Sequence, residues 1–378
     1  MKKLLLFFLL LSIGAGIYFC YKYSNIYNNK TKKITIFPTK KIEKKEEKPK
    51  TKITNRSIFI PYWSLDSFPP ADDEYKKYER YIYFGIMANS QGIDKQETGY
   101  MKLDQFAKAV KGKDTYLTLR LLNNNFNQEL LEDTSLQQKI IEQTLAVADE
   151  NDFKGVVLDL ELFSLFNTDV KDQINKFVQS FYTAAKTDYK LFGLVIYGDV
   201  FYRKRPYDLS FLSKNADEIL VMAYDFSKTI GEPGPNFPYD MGLKYNYSFK
   251  KMINDFKSVV PTEKLTIVFG MFGYDWQVDE KKRPITTAKA LTLKEIAGSI
   301  PGMEKACRLE NCLIKRDELS KETEINYTSS SKTPDEQGIY RIDYHIVWFE
   351  DEESVAIKTD YLQTQGISRV GYWAYGYF

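Results

Sequence analysis

From Ser57 onward, short apolar runs alternate with stretches whose apolar residues recur at helical spacing, and that alternation predicts repeated strand–helix units around a parallel sheet. The predicted strands are 58–62, 81–87, 115–121, 155–161, 191–197, 219–224, 265–272 and 370–375. Eight such units predict an α/β chain closed into a (β/α)8 TIM barrel. The clearest helix is 135–150, where Leu136, Ile140, Ile141 and Leu145 mark one face behind a cap at Ser135. Helices are also expected at 170–186 and at 354–365, the latter behind an acidic run suited to a helix N-terminus. The interval between the seventh and eighth strands is too long for one crossover, so a small inserted subdomain is expected at about 279–348.

Ahead of the barrel the pattern changes twice. Met1-Lys2-Lys3 followed by the apolar run 4–19 reads as a membrane anchor or a secretory signal, 1–20. Gly14-Ala15-Gly16 is a weak cleavage site and the apolar run continues past it, which favours an uncleaved anchor facing outward over secretion. Residues 21–55 are rich in Lys, Asn, Thr and Glu without core periodicity, and read as a disordered basic linker before a domain at 56–378.

Charge and composition then narrow the chemistry. Residues 1–56 hold fourteen Lys or Arg against three Glu, a surplus of 11, so a chain total of +2 leaves −9 on residues 57–378. The basic charge is not on the folded body, and nucleic acid is not an expected partner. There is one His, His345, so any Ser-His-Asp relay must run through it. No metal or cofactor motif is present: three Cys and one His argue against zinc, and neither a phosphate-binding loop nor a dinucleotide fingerprint occurs. Cys307 and Cys312 either close a short disulfide loop or remain as two thiols.

Carboxylate chemistry remains, and 155–161 carries it. Side chains alternate across a strand, so Gly155, Val157, Asp159 and Glu161 share one face while Val156, Leu158 and Leu160 share the other. Two acids closing an apolar strand must pair, hydrogen-bond, reach solvent or do chemistry.

The segment Lys154-Gly155-Val156-Val157-Leu158-Asp159-Leu160-Glu161 resembles the strand-4 signature Asp-Gly-x-Asp-x-Asp-x-Glu of glycoside hydrolase family 18, with Lys154 and Val157 where the family has Asp. Met222-Ala223-Tyr224-Asp225 resembles its Met-x-Tyr-Asp, and Gly371-Tyr372-Trp373-Ala374-Tyr375-Gly376 its last strand. The stretches Gly231-Glu232-Pro233-Gly234-Pro235, Gly270-Met271-Phe272-Gly273-Tyr274-Asp275-Trp276 and Val347-Trp348-Phe349-Glu350 are similar to the subgroup of bacterial spore-cortex and wall hydrolases.

The resemblance implies a glycosidase acting on N-acetylglucosamine-containing glycan, peptidoglycan or a chitin-type polymer, by substrate-assisted retention. It implies Glu161 as general acid, Asp159 as the group that orients the substrate acetamido, and Tyr224 as its hydrogen-bond donor. Met222, Asp225, Tyr274, Asp275, Trp276 and Trp373 are the implied substrate-binding residues. Val157 implies a shifted pH profile or lower rate. A lectin-like barrel without turnover, or a barrel that merely presents a surface to a protein partner, are the competing expectations.

Overall fold

The computed structural model describes residues 50–69, 73–162, 169–299, 312–330, 338 and 342–378. Strands β1 (Asn55–Pro61), β2 (Arg80–Asn89), β3 (Gly92–Ile93), β4 (Asp114–Leu121), β5 (Gly155–Leu160), β6 (Leu191–Tyr197), β7 (Glu218–Ala223) and β8 (Leu265–Gly270) come first along the chain. Strands β9 (Phe272–Val278), β10 (Lys289–Thr292), β11 (Cys312–Arg316), β12 (Thr323–Ser330), β13 (Ile342–Phe349) and β14 (Arg369–Trp373) follow. Eight of them run parallel in the order β1-β14-β8-β7-β6-β5-β4-β2, and β1 pairs with β2 to close the barrel.

Both faces of the barrel strands are apolar because both are covered. Val156, Leu158 and Leu160 pack outward with Ile140, Ile141, Ile174 and Phe177 of the surrounding helices. Val157 points inward with Phe59, Ile82, Leu220 and Val268. The helix Thr134–Glu150 is capped by Asp133, whose carboxylate accepts from Leu136 N–H at 2.9 Å. Ser135 is already inside the first turn, so the cap lies two residues earlier than expected. Glu352–Thr364 is held by a capping box between Asp351 and Ser354.

The expected strand 265–272 is divided. Met271 N–H donates to Trp373 C=O at 2.8 Å, and β9 then leaves the barrel to join an antiparallel sheet in the order β10-β9-β13-β12-β11. The departure from the barrel is thus at Phe272 rather than at 279. One face of that sheet, with Tyr274, Trp276, Ile346 and Trp348, packs toward Tyr224 and Trp373 at the barrel mouth. Beneath it Lys358, fully buried, meets Glu322 at 2.9 Å and also pairs with Glu350, both themselves fully buried.

Thr51 and Thr54 N–H donate to Gln363 and Ser368 carbonyls, so the chain is tied to the barrel before 55, inside the stretch expected as linker. The segment 1–20 lies outside the described residues, and among those described no helix is long and apolar enough to cross a membrane. Cys312 is disulfide-bonded; Cys307 lies outside the described residues.

Candidate active site

The acids expected to share a face do so at the C-terminal end of β5, where the strands of such barrels present their chemistry. Glu161 continues the ladder one step beyond the strand: its N–H donates to Leu121 C=O at 2.9 Å, and its own carbonyl accepts from Asn127 Nδ2 at 2.9 Å. The backbone under the acid is therefore fixed from both sides. Tyr207 adds a hydrogen bond to Leu160 C=O at 2.7 Å.

Asp159 is 4% exposed, and its Oδ1 is buried without a hydrogen-bond partner among the described residues. Burial pushes its pKa well above the usual carboxylate range, Glu161 pushes the same way, and Arg120 opposes both. Arg120 stands opposite Asp159 in the β4–β5 register. Its Nη2 donates to Gly85 C=O at 2.9 Å and lies 3.2 Å from Glu97, and the guanidinium rests over the rings of Tyr62 and Phe84. Its Nε is also buried without a hydrogen-bond partner. Val157, two residues before Asp159, faces Thr118 across the same pair of strands. Where the family signature has a second carboxylate, this barrel keeps an apolar side chain and sets a cation beside Asp159 instead.

Burial also raises the Glu161 pKa, while the Tyr197 hydroxyl, donating to Oε2 at 2.8 Å, lowers it. A carboxyl group whose pKa is raised holds its proton more readily, which is the direction a general acid needs.

Tyr224 is half-buried beyond the end of β7, and burial beside Asp159, Asp225 and Glu161 raises its pKa, which keeps the phenol a neutral donor. Met222, 7% exposed, lies on the inward face of β7 with Tyr197 and Leu220. Asp225 takes a left-handed backbone (φ 57°) that a non-glycine residue adopts at some cost. That conformation lets its N–H donate to Asn236 Oδ1 at 2.8 Å while its Oδ1 accepts from the Tyr274 hydroxyl at 2.5 Å. Asn236 in turn donates to Gly270 C=O and, through its N–H, to Glu322. Trp373, partly exposed, lies nearly parallel to the Tyr224 ring (centroids 6.5 Å, 21°) and is edged by Phe84 at 4.6 Å and Trp63 at 6.3 Å. These rings make an apolar wall beside the acids.

Two of the expected substrate-binding residues stand elsewhere. Alternation along β9 sends Asp275 to the face opposite Tyr274, where it accepts from Tyr327 hydroxyl at 2.7 Å and contacts His345 Nδ1 at 3.0 Å. Trp276 is on the Tyr274 face but is 0% exposed under the contact between the inserted sheet and the barrel. It has no ring face to offer a sugar. His345 Nε2 meets Ser329 Oγ at 3.2 Å, so the one His does join a polar chain, on the sheet face turned away from the Trp276 side.

Sequence reasoning did not reach Arg120, Tyr197, Asn236 or the Arg203–Arg205 pair that both engage Asp199. For Arg120 the sequence offers one partial signal, a single charged residue inside an otherwise apolar strand end; its level with Asp159 is set by the register of β4 and β5.

With this geometry established, comparison with known proteins is specific. A family model described as glycosyl hydrolases family 18 matches residues 60–377. The cortical fragment-lytic enzyme of Bacillus anthracis is 24% identical over 302 residues, 78% of this chain and 64% of that protein. The chain therefore spans just under two thirds of that curated relative's length. Among solved structures, the Bacillus cereus spore cortex-lytic enzyme SleL superposes with a TM-score of 0.63 at 19% identity, covering 87% of this chain and 72% of that one. A family 18 chitinase from Cycas revoluta in complex with (GlcNAc)3 gives 0.66 at 19% identity, covering 85% and 94%. At these identities the structural likeness carries the fold.

Proposed function

This chain belongs to glycosyl hydrolases family 18, and we propose that it is an extracytoplasmic glycosidase that cleaves beside N-acetylglucosamine in peptidoglycan, with chitin-type polymer the second substrate class. The observation that carries this reading is the pair Asp159 and Glu161 on one strand face, with Tyr224 beside both and Trp373 alongside. The similarity to a cortical fragment-lytic enzyme supports a wall glycan over chitin. The apolar run 4–19 and the basic stretch that follows support an outward-facing tether.

In the proposed reaction Glu161, protonated, gives its proton to the glycosidic oxygen as the C1–O bond breaks. The carbonyl oxygen of the sugar's own 2-acetamido group attacks C1 and forms an oxazolinium ion, so no enzyme carboxylate becomes covalently attached. Asp159 faces the acetamido N–H and stabilises the positive charge that develops there; Tyr224 donates to the acetamido oxygen. Water then opens the oxazolinium, losing its proton to Glu161, and retention at C1 follows. Arg120 opposes, and only partly offsets, the burial that favours protonation of Asp159.

The direct test is mass spectrometry of products released from purified peptidoglycan and from N-acetylglucosamine oligomers by the full chain and its Glu161→Gln variant. New reducing-end N-acetylglucosamine from the parent alone is expected. Product from both proteins would remove Glu161 from the mechanism. The replacement of the family's second acid by Val157 favours one other reading, a glycan-binding barrel without turnover, and binding with no product from either protein would select it.

A further inference from the structure

The mouth of the barrel carries more positive charge than its ion pairs consume. Asp199, 4% exposed just beyond β6, accepts from Arg203 and from Arg205 Nε, the latter at 2.8 Å. One carboxylate thus serves two guanidinium groups. That pair is beside the acid: the Arg205 guanidinium lies 3.6 Å over the ring of Tyr197, whose hydroxyl holds Glu161. Arg203, with a third of its side chain exposed, donates to Phe226 C=O at 2.8 Å, one residue after Asp225.

Lys228 supplies a second cation on the loop that follows Asp225. It is half-buried, and among the described residues its ammonium makes no hydrogen bond or ion pair. Burial lowers its pKa, and the neighbouring guanidinium groups add to that while Asp225 and Asp199 oppose it. A partly desolvated ammonium without a close partner is costly, and hydrolysis of a neutral sugar gives it nothing to do. Asp225 is the nearest opposing charge, but it makes no direct ion pair with Lys228 and spends Oδ1 on the Tyr274 hydroxyl, while Glu161 must hold a proton to act as the acid.

We propose that Arg203, Arg205 and Lys228 form an anion subsite beside Glu161 that receives a carboxylate carried within one sugar of the scissile bond, so that the preferred substrate is an acidic N-acetylglucosamine-containing glycan rather than a neutral one. The proposal rests on the glycosidase reading and narrows its substrate. A carboxylate can accept from an ammonium and a guanidinium at once. A lactyl ether on a neighbouring amino sugar, or a peptide attached to it, presents such a group; a homopolymer of N-acetylglucosamine presents none.

The test uses two ligands that differ only in that charge: an alternating N-acetylglucosamine–N-acetylmuramic acid tetrasaccharide with free lactyl carboxyl groups, and its methyl esters. Calorimetry on the full chain carrying Glu161→Gln is expected to give roughly tenfold tighter binding of the free acid, from one charge-assisted hydrogen bond. Added salt should shrink that ratio. Lys228→Gln in the same background should bring it close to one, and Lys228→Arg should retain most of it. A ratio of one in the parent background, a ratio that survives Lys228→Gln, or no binding of either ligand would overturn the subsite. Turnover by the chain with Glu161 intact reports separately on the glycosidase reading: equal kcat/KM for both ligands keeps that reading and removes the subsite, whereas acid-preferring binding without product does the reverse.

Discussion

At the floor of the barrel Arg80 reaches Glu218 at 2.6 Å and Asp114 at 3.1 Å, Thr266 donates to Glu218, and Arg80 covers the Tyr116 ring at 4.0 Å. At the mouth, at the end of β5 in the same barrel, Asp159 has an oxygen with no hydrogen bond among the described residues and the Glu161 carboxylate is held there by one phenol. Both ends bury charge inside one eight-stranded wall. The floor answers each charge with a bonded counter-charge, whereas the mouth leaves its acids to be satisfied by what binds. A buried pair holds the fold together when intact; a buried, underserved acid is a cost that the fold bears for chemistry.

The largest expected break in this contrast comes from exchanging what the two ends lose. Arg80→Met leaves Glu218 buried without its main partner, and urea unfolding should show a loss of about 3–5 kcal/mol. Asp159→Asn should do the opposite. It should lower kcat by roughly 10²–10³, the cost of removing one transition-state electrostatic contact, while leaving the protein as stable or more so. The sign follows from linkage: the folded pKa of Asp159 lies above its unfolded value, so this acid costs stability above the unfolded value near 4 and nothing below it. The stabilisation by Asn should therefore be present at pH 7 and absent at pH 3.

Arg120→Met tests the intermediate case, a cation at the mouth that opposes its neighbour's protonation without a close ion pair to it. We expect kcat to fall roughly tenfold to a hundredfold with little change in KM, and the ascending acid limb of the rate profile to move to higher pH as Asp159 holds its proton longer. A proportional loss in KM instead would mark Arg120 as a packing residue under Tyr62 and Phe84.

The smallest effect sharpens the comparison. Tyr197→Phe removes the hydrogen bond that favours ionised Glu161, so its pKa should rise further, and the descending alkaline limb of kcat/KM should shift upward by about one unit. A shift downward would mean that Tyr197 stabilises the protonated acid.

Much of this frame was legible because β-strand alternation has a fixed period. Gly155 to Glu161 could be divided into two faces from sequence, and Val157 does point inward while Val156 and Leu158 point out. Tyr224 and Trp373 were legible as strand-end residues that the fold brings together. The placing of Asp275 and Trp276 at the cleft followed the resemblance; the alternation of Phe272 to Val278 instead puts Asp275 on the face opposite Tyr274, and it does not by itself reveal that the chain has moved to a second sheet. Arg120 required knowledge of register, which a single strand does not contain. Lys358 shares the buried face of its helix with Val355 and Leu362, where a lysine is unexpected from residue type, and it is 0% exposed because Glu322 and Glu350, at the ends of β12 and β13, close over it.

That last arrangement bears on how such a barrel can change over generations. Glu322 bonds Lys358 and both the Asn236 and Phe237 N–H groups, so one side chain serves the insertion, the final helix and the loop behind Asp225 together. Glu350, lifted to a pKa of about 8 by burial, completes the set. A graft that exchanged the insertion for a shorter one would strand an ammonium in the interior and slacken the loop behind Asp225 in the same stroke. By the physics of buried ion pairs, losing one of Lys358, Glu322 and Glu350 alone costs more than replacing all three together by well-packed hydrocarbon.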